Sequence, residues 1–178
     1  MNSIQPLELA SRQRGLEFVV IGGFAVIEHG LSRTTTDFDI LVNRADKQVW
    51  HEVLTGFGYT LDQEKDTFRQ YSRREGVAWP IDLMLVNEET FRLMREASIR
   101  KHVQGAEVLL VSLEHLIALK LHALKHSNLR RFMKDFEDVL NLVQIHKINL
   151  HSPKIRDLFL KYGNEDLYQK ICRASEAP

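Results

Sequence analysis

The sequence predicts an α+β fold, a mixed β-sheet interleaved with short helices and followed by a C-terminal helical part, and three observations carry that prediction. Short apolar runs rich in β-branched residues recur as far as Val111, with helical segments between them. Beyond Ser112 the apolar residues recur at helical spacing only. Glycines fall between these runs, where elements should end. The expected division is residues 1–111 for the mixed part and 112–178 for a helical part packed on it.

Taken in order, Met1 to Arg14 reads as a helical lead-in, and Glu17 to Ile21 as a buried strand ended by Gly22 and Gly23. Phe24 to His29 follows as a helix stopped by Gly30, and residues 31–36 lead into a second strand, Asp37 to Val42. Ala45 to Leu54 reads as a helix with Val49, Val53 and Leu54 inward, left through Gly56 and Gly58. Tyr59 to Asp62 and Phe68 to Arg73 are short strands, and a turn at Gly76 precedes a stronger one, Pro80 to Val86. A helix over Glu88 to Glu96 and a strand over Val108 to Val111 end the mixed part. The helical part then reads as Leu113 to His126, capped by Ser112, followed by Arg131 to His146, Pro153 to Tyr162 and Glu165 to Arg173.

Composition narrows the function. Twenty-four basic and twenty-four acidic residues cancel, so no global charge drives the chain onto nucleic acid or a membrane, and any such surface is a local patch. Cys172 is the single cysteine, which excludes an internal disulfide framework and a cysteine-based zinc site and suits a reducing compartment. No run approaches the roughly 20 apolar residues that span a bilayer. The expectation is a cytoplasmic protein with no membrane partner.

The chemistry-bearing anomaly is acidic. On a strand, Asp37 and Asp39 point to one face while Phe38, Ile40 and Val42 take the other. Asp82 repeats the pattern among Ile81, Leu83 and Leu85. Carboxylates set into apolar strands repel one another, and a hard divalent cation is the simplest compensation. Three aspartates suit one or two such ions, and a metal pair roughly 3.5–4 Å apart stabilises the attacking and leaving oxygens of phosphoryl transfer. Gly22 and Gly23 stand at a strand-to-helix turn, where backbone N–H groups can approach an anion closely.

The string Gly22-Gly23-Phe24-Ala25, His29-Gly30, Arg33, Thr35, Asp37, Asp39, followed by Asp82 in an apolar strand, resembles the polymerase-β-type nucleotidyltransferase superfamily. It is similar to the small bacterial branch that includes abortive-infection, toxin–antitoxin and antibiotic-modifying enzymes. The resemblance implies a nucleotidyltransferase palm, magnesium with manganese as an alternative, and a nucleoside triphosphate such as ATP. By position it assigns metal binding and catalysis to Asp37, Asp39 and Asp82, and nucleotide contact to Gly22, Gly23, Arg33 and Thr35. It leaves the acceptor open among an RNA 3′ end, a protein hydroxyl and a small molecule, and it implies a cognate antitoxin as a partner. Phe24 departs from the pattern, since many members carry serine or threonine there.

The helical part adds a second anomaly. Leu113, Leu116, Ile117 and Leu124 form an apolar stripe with Lys120 in its middle, while Asp135 and Asp138 fall on or beside the apolar face of the next helix. Relatives resemble this arrangement close to their nucleotide site. Lys120 is therefore expected either to act in catalysis and nucleotide binding, oriented by Asp135 and Asp138, or to form a buried ion pair joining two helices. Lys120 to Lys134 holds five basic residues, two histidines and no acid, a stretch for a phosphate backbone or a solvated helix face. Arg69, Tyr71 and Arg73 share a strand face that either lines an acceptor groove or meets water. His115, His122 and His126 lack the carboxylate motif of a zinc site, and Trp50 and Trp79 read as packing residues.

Two functions from different classes follow: transfer of a nucleoside monophosphate from a triphosphate, with Asp82 assisting deprotonation of the acceptor, or a non-catalytic partner that keeps the fold and binds nucleotide or protein.

Overall fold

The computed structural model describes residues 4–73, 79–125 and 129–176. The turn expected at Gly76, and His126 at the end of an expected helix, lie outside the described residues. Within them the chain divides into two compact units, residues 1–25 with 33–112, and residues 26–32 with 113–178.

The first unit is built on a seven-stranded mixed sheet of the described residues, in the order β3-β4-β5-β2-β1-β7-β6. Helix α1 (Gln5–Gln13) precedes β1 (Val19–Val20), and α2 (Gly22–Glu28) follows at once. The expected strand from Glu17 shrinks to two paired residues, and the glycine pair opens the helix instead of standing before it. After β2 (Phe38–Asn43), a 3-10 turn over Arg44–Asp46 leads into α3 (Lys47–Gly56). The Asn43 side chain sets that turn by accepting the Ala45 N–H at 3.1 Å. β3 (Thr60–Lys65), β4 (Phe68–Ser72) and β5 (Ile81–Val86) form a consecutive run. Helix α4 (Glu88–Glu96) has the expected bounds, with Asn87 accepting the Thr90 N–H at 2.8 Å and two glutamates in its first turn.

β6 (Ile99–Val103) and β7 (Ala106–Leu110) complete the sheet, and β6 has no counterpart among the strands expected from the sequence. It is an edge strand whose residues are largely exposed, so it lacks the apolar alternation that marks a half-buried strand. The sheet core is supplied by Val19, Val20, Phe38, Ile40, Leu41, Val42, Leu83 and Leu85, and Trp50 is wholly buried with its ring meeting Phe18 edge-on at 5.8 Å.

The second unit is helical: α5 (Leu113–Leu124), α6 (Leu129–Ile145), α7 (Pro153–Tyr162) and α8 (Glu165–Glu176). α5 packs on α6 and α7, and α8 packs on the same two. Leu116, Ile117, Leu121, Val139, Leu142, Phe159 and Ile171 form its core. Residues 26–32 join it through His146 Nε2, 2.8 Å from the His29 carbonyl. No helix among the described residues is long and apolar enough to cross a membrane.

Candidate active site

The three aspartates come together because two strands far apart in the chain, Phe38–Asn43 and Ile81–Val86, pair in one register. β2 and β5 run parallel with Asp39 directly opposite Asp82. The Phe38 N–H donates to the Pro80 carbonyl at 2.8 Å, anchoring the ladder where Asp37 enters it. Phe38, Ile40, Ile81 and Leu83 take the buried face, so Asp39 and Asp82 share the other. One carboxylate oxygen from each of Asp37, Asp39 and Asp82 lies within 4.8 Å of the others, and all three residues are half-buried. Two full charges at that separation repel by roughly 1 kcal/mol in water and about 3.5 kcal/mol at an effective dielectric of about 20. The donor set is hard oxygen throughout, which suits a divalent cation of the magnesium or manganese type.

The glycine turn is shaped around these carboxylates. Gly22 has a φ of +60°, and a side chain there would overlap the carboxylate of Asp39. The Gly23 N–H donates to Asp39 Oδ2 at 3.3 Å. A Cβ on Gly23 would overlap the Thr35 side chain and stand 3.1 Å from an Arg33 guanidinium nitrogen. Thr35 in turn donates its hydroxyl to Asp37 Oδ1 at 2.8 Å, and Arg33 Nη1 donates to the Thr34 carbonyl at 2.8 Å. Gly22, Gly23, Arg33, Thr35, Asp37, Asp39 and Asp82 therefore form one cluster. The immediate reason for two glycines is room for Asp39 and Thr35, a cause the sequence alone did not suggest. Phe24 is buried, with its ring edge-on to Phe38 at 5.3 Å and Trp79 at 4.9 Å. The departure at position 24 is thus a core residue, and the hydroxyl nearest the turn belongs to Thr35.

A family model described as the nucleotidyl transferase AbiEii toxin of a type IV toxin–antitoxin system matches residues 8–169. The chain belongs to this AbiEii nucleotidyltransferase family. No curated protein sequence matches it significantly, whereas solved structures do. ANT(2")-Ia in complex with adenylyl-2"-tobramycin aligns with a TM-score of 0.64 at 15% identity, over 89% of this chain and 94% of that one. An antigenic nucleotidyltransferase-like protein from Paracoccidioides brasiliensis aligns with a TM-score of 0.60 at 16% identity, over 97% and 88%. The lincosamide antibiotic adenylyltransferase LnuA, lincomycin-bound, aligns with a TM-score of 0.56 at 16% identity, over 81% and 98%. At these identities the likeness shows the fold, which is the expected nucleotidyltransferase fold. With the family it makes the chain a nucleotidyltransferase, of a family named for the toxin of a toxin–antitoxin system.

In this AbiEii-family chain Lys120, Asp135 and Asp138 form a second cluster, within the helical unit. Lys120 Nζ lies 2.8 Å from Asp135 Oδ1 and 2.6 Å from Asp138 Oδ2. The three residues are only 7%, 7% and 2% exposed. Arg131 Nε stands 3.7 Å from the other Asp135 oxygen. The ion pair joining α5 to α6 is thus formed, and Lys120 is shared by two carboxylates.

Arg69 and Tyr71 do not line an acceptor groove. They pair with Leu83 and Ile81 and are buried on the face opposite Asp82. Arg69 donates to Glu64 through Nε at 3.0 Å and to the Lys47 carbonyl at 3.0 Å, and Tyr71 bonds His51 at 3.1 Å. Burial pushes the Tyr71 phenol up from its ordinary value, and the hydrogen bond from Arg69 holds the Glu64 carboxyl below its own. The residue that alternation does place beside Asp82 is Gln70; a neutral amide on a half-polar strand creates no anomaly that sequence reading detects. His115 is half-buried and desolvation lowers its imidazole pKa, while His122 is exposed.

Proposed function

We propose that the chain transfers a nucleoside monophosphate from a nucleoside triphosphate to a hydroxyl acceptor, with Asp37, Asp39 and Asp82 holding magnesium or manganese. The observation that carries this reading is the in-register pairing of Asp39 with Asp82, which brings three carboxylates within 4.8 Å on a half-buried sheet face. A divalent cation held there would neutralise triphosphate charge and stabilise charge developing at the α-phosphorus. The acceptor oxygen attacks the α-phosphorus, the bond to the bridging oxygen of the β-phosphate breaks, and pyrophosphate leaves. Asp82 takes the acceptor proton. Asp37 and Asp39 are held in place by the Thr35 hydroxyl and the Gly23 N–H, which is the preorganisation a charged transition state requires. Arg33 and the Gly22-Gly23 backbone are the proposed triphosphate contacts of this cluster.

Residues 1–111 act as the catalytic palm and 112–178 as the helical part in this proposal, working in the cytoplasm beside a cognate antitoxin. Lys120 enters it through Asp135 and Asp138: with two carboxylates on its ammonium, its first role is to hold those acids, and any phosphate contact shares a cation already engaged. The acceptor is an RNA 3′ end, a protein hydroxyl or a small molecule. The test is incubation with each labelled nucleoside triphosphate and magnesium against RNA, protein and small-molecule fractions, with Asp82→Asn as control. Label in one fraction, lost with Asp82→Asn, is the expected result. Nucleotide binding without label in any fraction would overturn the reading in favour of a non-catalytic binding role.

A further inference from the structure

The half-exposed face that carries Asp39 and Asp82 continues outward across two more strands. β4 pairs antiparallel with β5 so that Gln70 lies directly opposite Asp82, and Gln63 of β3 lies opposite Gln70. Residues paired directly across strands share a face. Asp39, Asp82, Gln70 and Gln63 therefore form one row across β2, β5, β4 and β3. On the same face β4 also carries Phe68 and Ser72, Phe68 opposite Met84 and Ser72 opposite Thr60. Charge on β3 is kept to the margin: Lys65 pairs with Phe68 at the outer corner, and Asp62 sits where the register shifts between Leu61 and Gln63. Glu64 pairs with Arg69 on the opposite face.

Among the described residues, the strand positions paired outward from Asp82 on this face are thus amides, hydroxyls and apolar groups, with Lys65 at the outer corner. A phosphate-rich group would call for cations there, and an amine-rich one for further carboxylates. A glutamine amide both donates and accepts, which matches a hydroxyl that must give its proton away on one side while being held on the other. Directly opposed residues have Cβ atoms roughly 4.5–5.5 Å apart, so Gln70 and Asp82 can reach one hydroxyl or two neighbouring ones. Phe68 and Met84 offer an apolar surface to the C–H face of a ring.

We infer that Gln70 holds the hydroxyl-bearing group of the acceptor beside Asp82, and that this face selects a neutral, polyhydroxylated moiety such as a sugar ring. The inference rests on the nucleotidyl-transfer reading for its reaction, but its binding claim is measurable without turnover. In the isotope-labelled full-length protein, titration with ribose should shift the side-chain amide resonance of Gln70 and leave that of a distant glutamine, Gln169, in place. Glucosamine, which is cationic, and ribose 5-phosphate, which is anionic, should shift it less. In Gln70→Ala, which lacks that resonance, the backbone amide shift that ribose causes at Asp82 in the wild type should vanish while triphosphate binding and melting temperature stay at wild-type values.

With the acceptor fraction that the wild type labels, Gln70→Ala should raise the acceptor KM by about tenfold and leave kcat within about twofold, the pattern of lost acceptor binding. Gln70→Glu, of the same shape but charged, should lose the preference for ribose over glucosamine. An unmoved Gln70 resonance, or an unchanged acceptor KM in Gln70→Ala, overturns the assignment. Equal responses to all three sugars overturn the selection for a neutral group. If the wild type labels no fraction, the transfer reading falls while the ribose titration still decides the role of Gln70.

Discussion

The two acidic clusters meet the same electrostatic difficulty and answer it differently. Asp135 and Asp138 are sealed inside the helical unit around the ammonium of Lys120. Asp37, Asp39 and Asp82 lie on a half-exposed face, where a backbone N–H and a threonine hydroxyl orient two of them. A buried carboxylate with a fixed internal cation is insulated from solvent and contributes to architecture. Carboxylates at an accessible face, oriented by groups such as the Gly23 N–H and the Thr35 hydroxyl, remain within reach of a ligand. Burial and position, more than the number of acids, separate the two clusters.

The largest effect expected from breaking this contrast is at Lys120. Lys120→Met removes the cation and strands two buried carboxylates, a change that typically costs about 3–5 kcal/mol. Chemical denaturation should show that loss, and adding Asp135→Asn with Asp138→Asn should recover much of it. Label transfer by the remaining folded protein should stay near wild type. A stable Lys120→Met that loses transfer would instead assign the lysine to the nucleotide.

Next in size is Asp82→Asn. It should cut transfer by at least about 100-fold, within the range for losing a positioned proton acceptor, while the melting temperature holds. Manganese should raise the melting temperature of the wild type, and the double variant Asp37→Asn with Asp39→Asn should show no such rise. An equal rise in both proteins would remove the cation from the carboxylate face and erase the contrast between the clusters.

Glycine substitutions probe how closely the reactive cluster is packed. Gly22→Ala places a Cβ against the Asp39 carboxylate at a φ of +60°, and the left-handed conformation alone costs about 1–2 kcal/mol. Transfer should fall further than stability, because Asp39 must move. Gly56→Ala serves as the control: it lies at the end of α3 with nothing within 4 Å of an added Cβ, and it should be neutral or stabilising by up to about 1 kcal/mol. Equal behaviour of the two variants in the transfer assay would mean that the turn is not fitted to Asp39.

Which of these features were legible in the sequence follows from their range. Asp39 and Asp82 stood out because each is an acid in an apolar strand, and Lys120 because it is a cation in an apolar stripe; both are local contradictions of periodicity. The pairing of Asp39 with Asp82 is not local, since their positions in the chain do not dictate a shared register; the shared anomaly of an acid in an apolar strand groups them, and the resemblance to a known family supports that grouping. Gln70 escaped notice for the same reason, its meaning depending entirely on what lies opposite. Arg69 and Tyr71 were misjudged because a buried arginine is uncommon, and its partners Glu64 and the Lys47 carbonyl belong to other elements. β6 offered an exposed edge with no alternation to read.

The pair of Arg69 and Glu64, one partner buried and the other exposed, gives the smallest and most graded test. The cation is buried, its side chain 7% exposed, while the Glu64 side chain is 44% exposed. The hydrogen bond from Arg69 is the leading cause that lowers the Glu64 pKa below its ordinary 4.5. A carboxylate whose pKa is lowered on folding contributes stability above its unfolded value and loses that contribution as pH falls through the folded value. Melting temperature should therefore decline more steeply below about pH 4.5 in the wild type than in Glu64→Gln, and the two curves should converge at the acid end. At neutral pH Glu64→Gln should still melt lower than wild type, because the neutral amide leaves Arg69 with a weaker partner. Parallel curves down to the acid limit would mean that the exposed carboxylate is screened by water and that Arg69 is held mainly by the Lys47 carbonyl and Tyr71. In that outcome an internal cation would be structural only where, as at Lys120, its acids are buried with it.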